Sequence, residues 1–292
     1  MKKLKQIVAQ IKAVPSHTTP EFDDLLWQYI CYAPKMPLRL PQENLLNTAQ
    51  KFSLKVHDKF FTQKELNFNV FKWGSGTRKV ILTHGWGSKA ADFIEIITAL
   101  SAINDLEIIA FDAPGNGSSE GELSNFLLYV EALKAVILQF GQPDILIGHS
   151  LGAMANIFTL KELAIKPKLL ISLTPLIKLK ENFESSLNAI GISAANQYSF
   201  FNDFEAKFKT SISNFTVNNW YAFEEDLNHW LAYDQNDQVV PFSYLKTFLE
   251  AHPAIKSQNY IDVGHDKILK SPEVIGDLIN VISTSLNLSK SI

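Results

Sequence analysis

The chain has 292 residues, long enough for one large domain or two small ones with a substantial buried core. Its 27 basic and 30 acidic side chains leave a formal net charge of -3, with 46% hydrophobic and 20% charged residues, an ordinary globular balance. That balance argues against nucleic-acid binding, which calls for a basic stripe, and the single cysteine, Cys31, rules out an intramolecular disulfide or a two-cysteine metal site.

The N-terminal stretch "MKKLKQIVAQIKAVPS" begins with lysines as a signal peptide does, but Gln6, Gln10 and Lys12 interrupt its apolar run and no convincing cleavage site follows. It reads as a short amphipathic helix with Leu4, Ile7, Val8 and Ile11 on one face. No apolar run approaches the roughly 20 residues that span a bilayer, so the expectation is a cytoplasmic protein without an integral membrane segment. A second helical pattern lies around Asp23 to Tyr32, and "APKMPLRLPQ" after it carries three prolines, which predict an extended connector. Residues 1–44 are therefore expected to form a helical arm laid over a body that follows.

From Ala49 the sequence alternates apolar and polar residues up to Gly74-Ser75-Gly76, predicting antiparallel strands near 51–58 and 66–73. Then a formula repeats: an apolar run, a glycine loop, a helix. "KVILTHGWG" precedes a helix from about Ala90 to Ser101. "LEIIAFDAPGNG" precedes the amphipathic "NFLLYVEALKAVILQF", ended by Gly141. "PDILIGHSLG" precedes a helix to about Ile165, and "PKLLISLTP" supplies one more strand. Such alternation predicts an α/β fold with a mostly parallel sheet covered by helices on both faces. Ligands of such sheets bind beyond the carboxyl ends of the strands, where these glycine loops fall.

Between Pro175 and Asn228 the formula lapses into an aromatic-rich stretch without strand runs, expected to be a helical cap over residues 175–227. The body, residues 45–174 and 228–292, resumes with "HWLAYDQNDQVVP", a helix near Ser243 to Ala251, the strand and loop of "SQNYIDVGHDKIL", and a last helix from Pro272 to Leu286.

The chemistry is expected on the loops. In "GHSLG" Ser150 stands at a sharp strand-to-helix turn that projects its hydroxyl above the sheet, and Gly148 and Gly152 leave room for neighbouring backbone. A serine nucleophile needs a base. Of the seven histidines, His17 and His57 precede the parallel run, His149 lies in the turn itself, His84 more simply braces its own loop, His229 opens a strand at the opposite end, and His252 ends a helix. His265, on a glycine loop beyond the final strand, is the favoured base. Its orienting carboxylate is Asp237 or Asp234, both after the preceding strand, with Asp237 preferred because it sits deeper in the loop. Asp112 is expected to tie down its own loop. The oxyanion donors would be the backbone N–H groups of Leu151 and, in "HGWG", Trp86, whose indole would also line the substrate pocket.

On "HGWG" at 84–87, "FDAPGNGSS" at 111–119, "GHSLG" at 148–152, and the pair Asp237 and His265, the chain resembles the lid-bearing branch of the α/β-hydrolase superfamily. The likeness covers residues 66 to 286 apart from the cap. It implies eight strands, a cap after the sixth, and an acyl-enzyme formed on Ser150. Two positions depart from the family pattern: Asp234 stands where many relatives carry glycine, and Asn116 where a bulkier residue is common. Residues 1–44 resemble the N-terminal extension of a group of bacterial α/β-hydrolases without an assigned substrate.

Serine at the elbow argues against relatives that use aspartate there, such as haloalkane dehalogenases and epoxide hydrolases. The expected reaction is hydrolysis of a carboxylic ester, or a related thioester, of an apolar small molecule. Alternatives are carbon-carbon bond hydrolysis of diketone-like compounds and a non-catalytic ligand-binding role. No cofactor or metal is expected, the partner is a small-molecule ester or acyl substrate, and the oligomeric state is open.

Overall fold

A computed structural model describes residues 2–14, 19–223 and 227–287. His17, and residues 224–226 of the expected cap, lie outside the described residues. Among those described, no helix is long and apolar enough to cross a membrane.

Three helices precede the sheet: α1 (Lys2–Ala13), α2 (Pro20–Cys31) and α3 (Leu40–Asn47). The third departs from the sequence expectation, which made "APKMPLRLPQ" extended throughout. Pro41 falls in the first turn of α3, where a missing N–H costs nothing, so only the prolines at 34 and 37 keep the chain extended.

The strands are β1 (Gln50–His57), β2 (Glu65–Trp73), β3 (Arg78–Thr83), β4 (Leu106–Phe111), β5 (Ile145–His149), β6 (Leu169–Leu173), β7 (His229–Tyr233) and β8 (Lys256–Asn259). They form one eight-stranded sheet in the order β1-β2-β4-β3-β5-β6-β7-β8. Strand β2 runs antiparallel to both its neighbours, and every pairing from β4 across to β8 is parallel. The eight-stranded, mostly parallel α/β architecture is thus the one expected. Strand β8 is the weakest match to its sequence signal. It stops at Asn259 and is mostly exposed, because an edge strand has one neighbour and needs no continuous apolar run.

Helices α4 (Ile94–Ser101), α5 (Phe126–Phe140), α6 (Leu151–Leu163), α7 (Leu179–Ala189), α8 (Ala194–Phe208) and α9 (Val217–Trp220) follow in order, then α10 (Phe242–Ala251), α11 (Gly264–Lys267) and α12 (Pro272–Ser285). The central strands are buried on both faces, so each feeds two cores by alternation. Ile81, Ile109, Leu146 and Leu170 join one core with Leu133 of α5 and Phe158 of α6. Val80, Ile108, Ile147 and Ile171 join the other with Ile96 of α4 and Leu278 of α12.

Helices α7, α8 and α9 fill the stretch between β6 and β7. Their aromatic side chains do not form a separate core. Phe200, Phe204 and Phe208 of α8 surround Trp27 of α2 with ring centroids 4.7, 5.9 and 5.8 Å away, and the Trp27 indole N–H donates to the Asp203 carboxylate. The N-terminal helices and the segment after β6 are thereby packed as one apolar roof. Leu26, Phe22 and Ile7 are almost wholly buried within it.

Candidate active site

Strand β5 ends at His149, and the next residue, Ser150, has φ 52° and ψ -120°. A non-glycine residue held at positive φ is strained and persists only where its surroundings fix it. The surroundings here are tight. A Cβ on Gly148 would lie 2.5 Å from Ala153 Cα, and one on Gly152 would lie 2.2 Å from the Thr83 carbonyl oxygen, so neither position tolerates a side chain. The turn presents Ser150 at the amino end of α6, where the residue is buried at the pocket floor.

The other two expected residues arrive from β7 and β8. His265 Nε2 lies 2.9 Å from Ser150 Oγ, and its Nδ1 lies 2.7 Å from Asp237 Oδ2. Asp237 accepts from the backbone N–H groups of Val239 and Val240 with its other oxygen. Burial works to raise the Asp237 carboxyl, but the hydrogen bond and charge of His265 and the two N–H donors outweigh it and hold the pKa below the usual carboxylate value. The ionised carboxylate is therefore favoured, facing Nδ1 of His265 while Nε2 faces Ser150.

Asp234, the alternative carboxylate, reaches a different atom. Its Oδ2 accepts the Gly264 N–H at 2.8 Å and its Oδ1 accepts from Asn236, so it moors the loop bearing His265 without touching the imidazole. His149 moors the same loop from below. Its Nε2–H donates to the His265 carbonyl at 2.9 Å, and its ring lies 4.9 Å from that of His265. Burial above all, and then the neighbouring His265, push His149 down to about 3, so it is neutral at ordinary pH. His149, His265 and Asp266 bring candidate metal-ligand atoms within 4.8 Å of one another. Both ring nitrogens of His265 are engaged by Asp237 and Ser150, whereas His149 uses Nε2 alone and its buried Nδ1 has no hydrogen-bond partner among the described residues.

The first glycine loop is braced as expected. His84 donates from Nδ1 to the Gly85 carbonyl and accepts the Ala113 N–H at Nε2, while Tyr129 donates to the same carbonyl. Asp112 accepts from Ala90, which belongs to that loop, and from Ser118 in its own. Asn116 accepts the Gly87 N–H at 3.1 Å, so the residue that departs from the family pattern ties the two loops together. The backbone N–H groups of Trp86 and Leu151 have no acceptor among the described residues. Both residues line the pocket that contains Ser150 and His265, and the Trp86 ring stacks over Tyr129.

This pocket has a volume of about 450 Å³. Its floor comes from the strand-end loops, and its walls include Tyr29, Ile30 and Cys31 of α2 and Leu179 and Phe183 of α7. Sequence reasoning had the floor and missed that α2 is a wall; the only signal was the apolar face of a helix with no other assigned neighbour.

Residues 80–269 match the alpha/beta hydrolase family. A monoglyceride lipase from Mus musculus is 29% identical over 132 residues, which are 42% of this chain and 43% of that lipase's length. An esterase structure from Pyrococcus furiosus is similar with a TM-score of 0.58 and 16% identity, covering 88% of this chain and 97% of the esterase. A thermophilic esterase from Thermogutta terrifontis is similar with a TM-score of 0.56 and 14% identity, covering 80% of this chain and 99% of that one. At such identity the structural likeness speaks for the fold, and the family match spans well over half of the sequence. The chain belongs to the alpha/beta hydrolase family.

Proposed function

We propose that the protein is a serine hydrolase that cleaves a carboxylic ester, or a related thioester, of an apolar small molecule through an acyl-enzyme on Ser150. The observation that carries this reading is the unbroken relay from Ser150 Oγ through His265 to Asp237, starting at a strained turn. His265 Nε2 takes the Ser150 proton as Oγ attacks the acyl carbon, and Asp237 stabilises the imidazolium without itself taking the proton. The oxyanion forms against the N–H groups of Trp86 and Leu151, where the amino end of α6 adds its dipole. His265 then returns the proton to the leaving oxygen or sulfur. A water activated by the same nitrogen attacks the acyl-enzyme, and Ser150 recovers its proton as the acid leaves.

Residues 175–227 act in this reading as a cap and residues 1–44 as an arm that closes the pocket with it. The apolar walls favour an apolar acyl group, and Trp86, more than a third exposed at the pocket, is a substrate contact. Hydrolysis of short-chain p-nitrophenyl esters by the wild type and by Ser150→Ala tests the proposal. Turnover by the wild type alone supports it, and a wild type inert toward every ester removes it.

A further inference from the structure

The pocket's wall toward the roof is shared with a second void. Cys31, Asn125, Phe126, Leu179 and Phe183 line both the chamber containing Ser150 and a void of about 10 Å³ bounded beyond them by Trp27 and Phe204. A space of that size holds about one water. The chamber therefore stops, for any ligand larger than water, at a partition to which α2 supplies Cys31, the start of α5 supplies Asn125 and Phe126, and α7 supplies Leu179 and Phe183.

The partition is fixed in place. The Cys31 carbonyl accepts the Ser124 N–H at 2.8 Å, and Tyr32 forms an isolated bridge with Leu123, so the end of α2 is stitched to the loop after β4. From the other direction, the Tyr29 hydroxyl donates to the Ser186 carbonyl of α7 at 3.0 Å, and Phe183 packs edge-on to Phe204 with ring centroids 6.4 Å apart. Cys31 is buried and burial pushes its thiol far up, so it stands here as a neutral, small apolar surface. Among the described residues, the chamber's lining holds one carboxylate, Asp266, beside His265, and no lysine or arginine.

We infer that Cys31 and Phe183 together set the length of the acyl chain the enzyme accepts, with the N-terminal helix α2 serving as half of the substrate site. This rests on the serine-hydrolase reading above. The chamber's volume of about 450 Å³ lies within the range of small-molecule sites, so an acyl chain of moderate length can be housed in it. Shaving the partition opens the chamber into the void around Trp27; thickening it shortens the chamber. A methylene gained or lost in an apolar pocket changes specificity by about tenfold or more.

The test is kcat/KM along p-nitrophenyl esters from acetate to laurate for the wild type, Phe183→Ala, Cys31→Leu and the milder Phe183→Leu and Cys31→Ala. Thermal shifts with the matching free carboxylates are measured in parallel. Wild type should show an optimum within the series rather than a flat profile. Phe183→Ala should raise the decanoate-to-hexanoate ratio by about tenfold or more, and Cys31→Leu should lower it by a similar factor. The milder pair should move it less, in the lengthening direction. Leu138→Ala, on the exposed face of α5, should leave the ratio unchanged. Active enzymes whose chain-length profiles all coincide would overturn the inference and leave the hydrolase reading intact. If no ester is turned over at all, the hydrolase reading fails instead, and the carboxylate series decides this one. A length optimum that moves in Phe183→Ala supports it, and thermal shifts independent of length overturn it.

Discussion

The floor and the roof of the pocket are built on different principles. The floor is a set of short loops at the ends of buried parallel strands, each held by named hydrogen bonds: Asp234 and His149 on the His265 loop, His84 and Tyr129 on Gly85, Asp112 and Asn116 between loops. The roof is an apolar merger of α2 with α7 and α8, held by Trp27 and its phenylalanine neighbours. Directional bonds fix atoms to fractions of an ångström, which catalysis requires, whereas non-directional packing fixes only shape and volume. The floor should therefore govern rate, and the roof stability and substrate size.

Substitutions on the floor separate these roles most sharply. Ser150→Ala should lower kcat on the order of 10⁶-fold, and Asp237→Asn about 10⁴-fold, both with little change in thermal midpoint. Asp234→Asn should cost less, about 10²-fold, because it loosens the His265 loop without removing the imidazole's partner. A larger loss at Asp234 than at Asp237, measured in kcat on one ester, would reverse their assigned parts. In the roof, Trp27→Ala should cost about 3–5 kcal/mol in denaturant unfolding, the usual penalty for an emptied aromatic site. If it abolishes turnover while the fold keeps its stability, the division between floor and roof fails.

A smaller effect concerns acid. His229 is buried between the Tyr221 hydroxyl and Ser172 Oγ, and burial first, then the nearby His252, push it down to about 3. A histidine with its folded value depressed binds fewer protons folded than unfolded below about pH 6.5, so stability falls as pH drops from there toward 3. His149 adds to the same slope in the same window. Each contributes at most about 1.4 kcal/mol per pH unit. Midpoints followed from pH 7 to pH 4 should fall, and His229→Gln should flatten the decline; an unchanged slope would mean that His229 is not the titrating group.

Legibility in the sequence followed the same division. The strands, their parallel order and the loops at their ends were readable because a buried strand needs an uninterrupted apolar run and a sharp turn needs glycine at fixed places, as at Gly148 and Gly152. Asp237 could be preferred to Asp234 only by loop depth, since which of them meets an imidazole arriving 28 residues later depends on how β7 and β8 align. The tether from His149 to His265 spans 116 positions and left no local mark. Neither did the partnership of α2 with α8. Trp27 and the phenylalanines at 200, 204 and 208 lie on separate apolar faces, and an amphipathic face records that it is covered without recording by what.

The central claim is that Ser150 is the activated hydroxyl of the site. A fluorophosphonate probe reacts with such a serine, and intact-mass measurement followed by peptide mapping reads where. The account predicts one adduct per chain, on Ser150, lost in Ser150→Ala and greatly slowed in Asp237→Asn. An unlabelled wild type, or an adduct on any other residue, would contradict it.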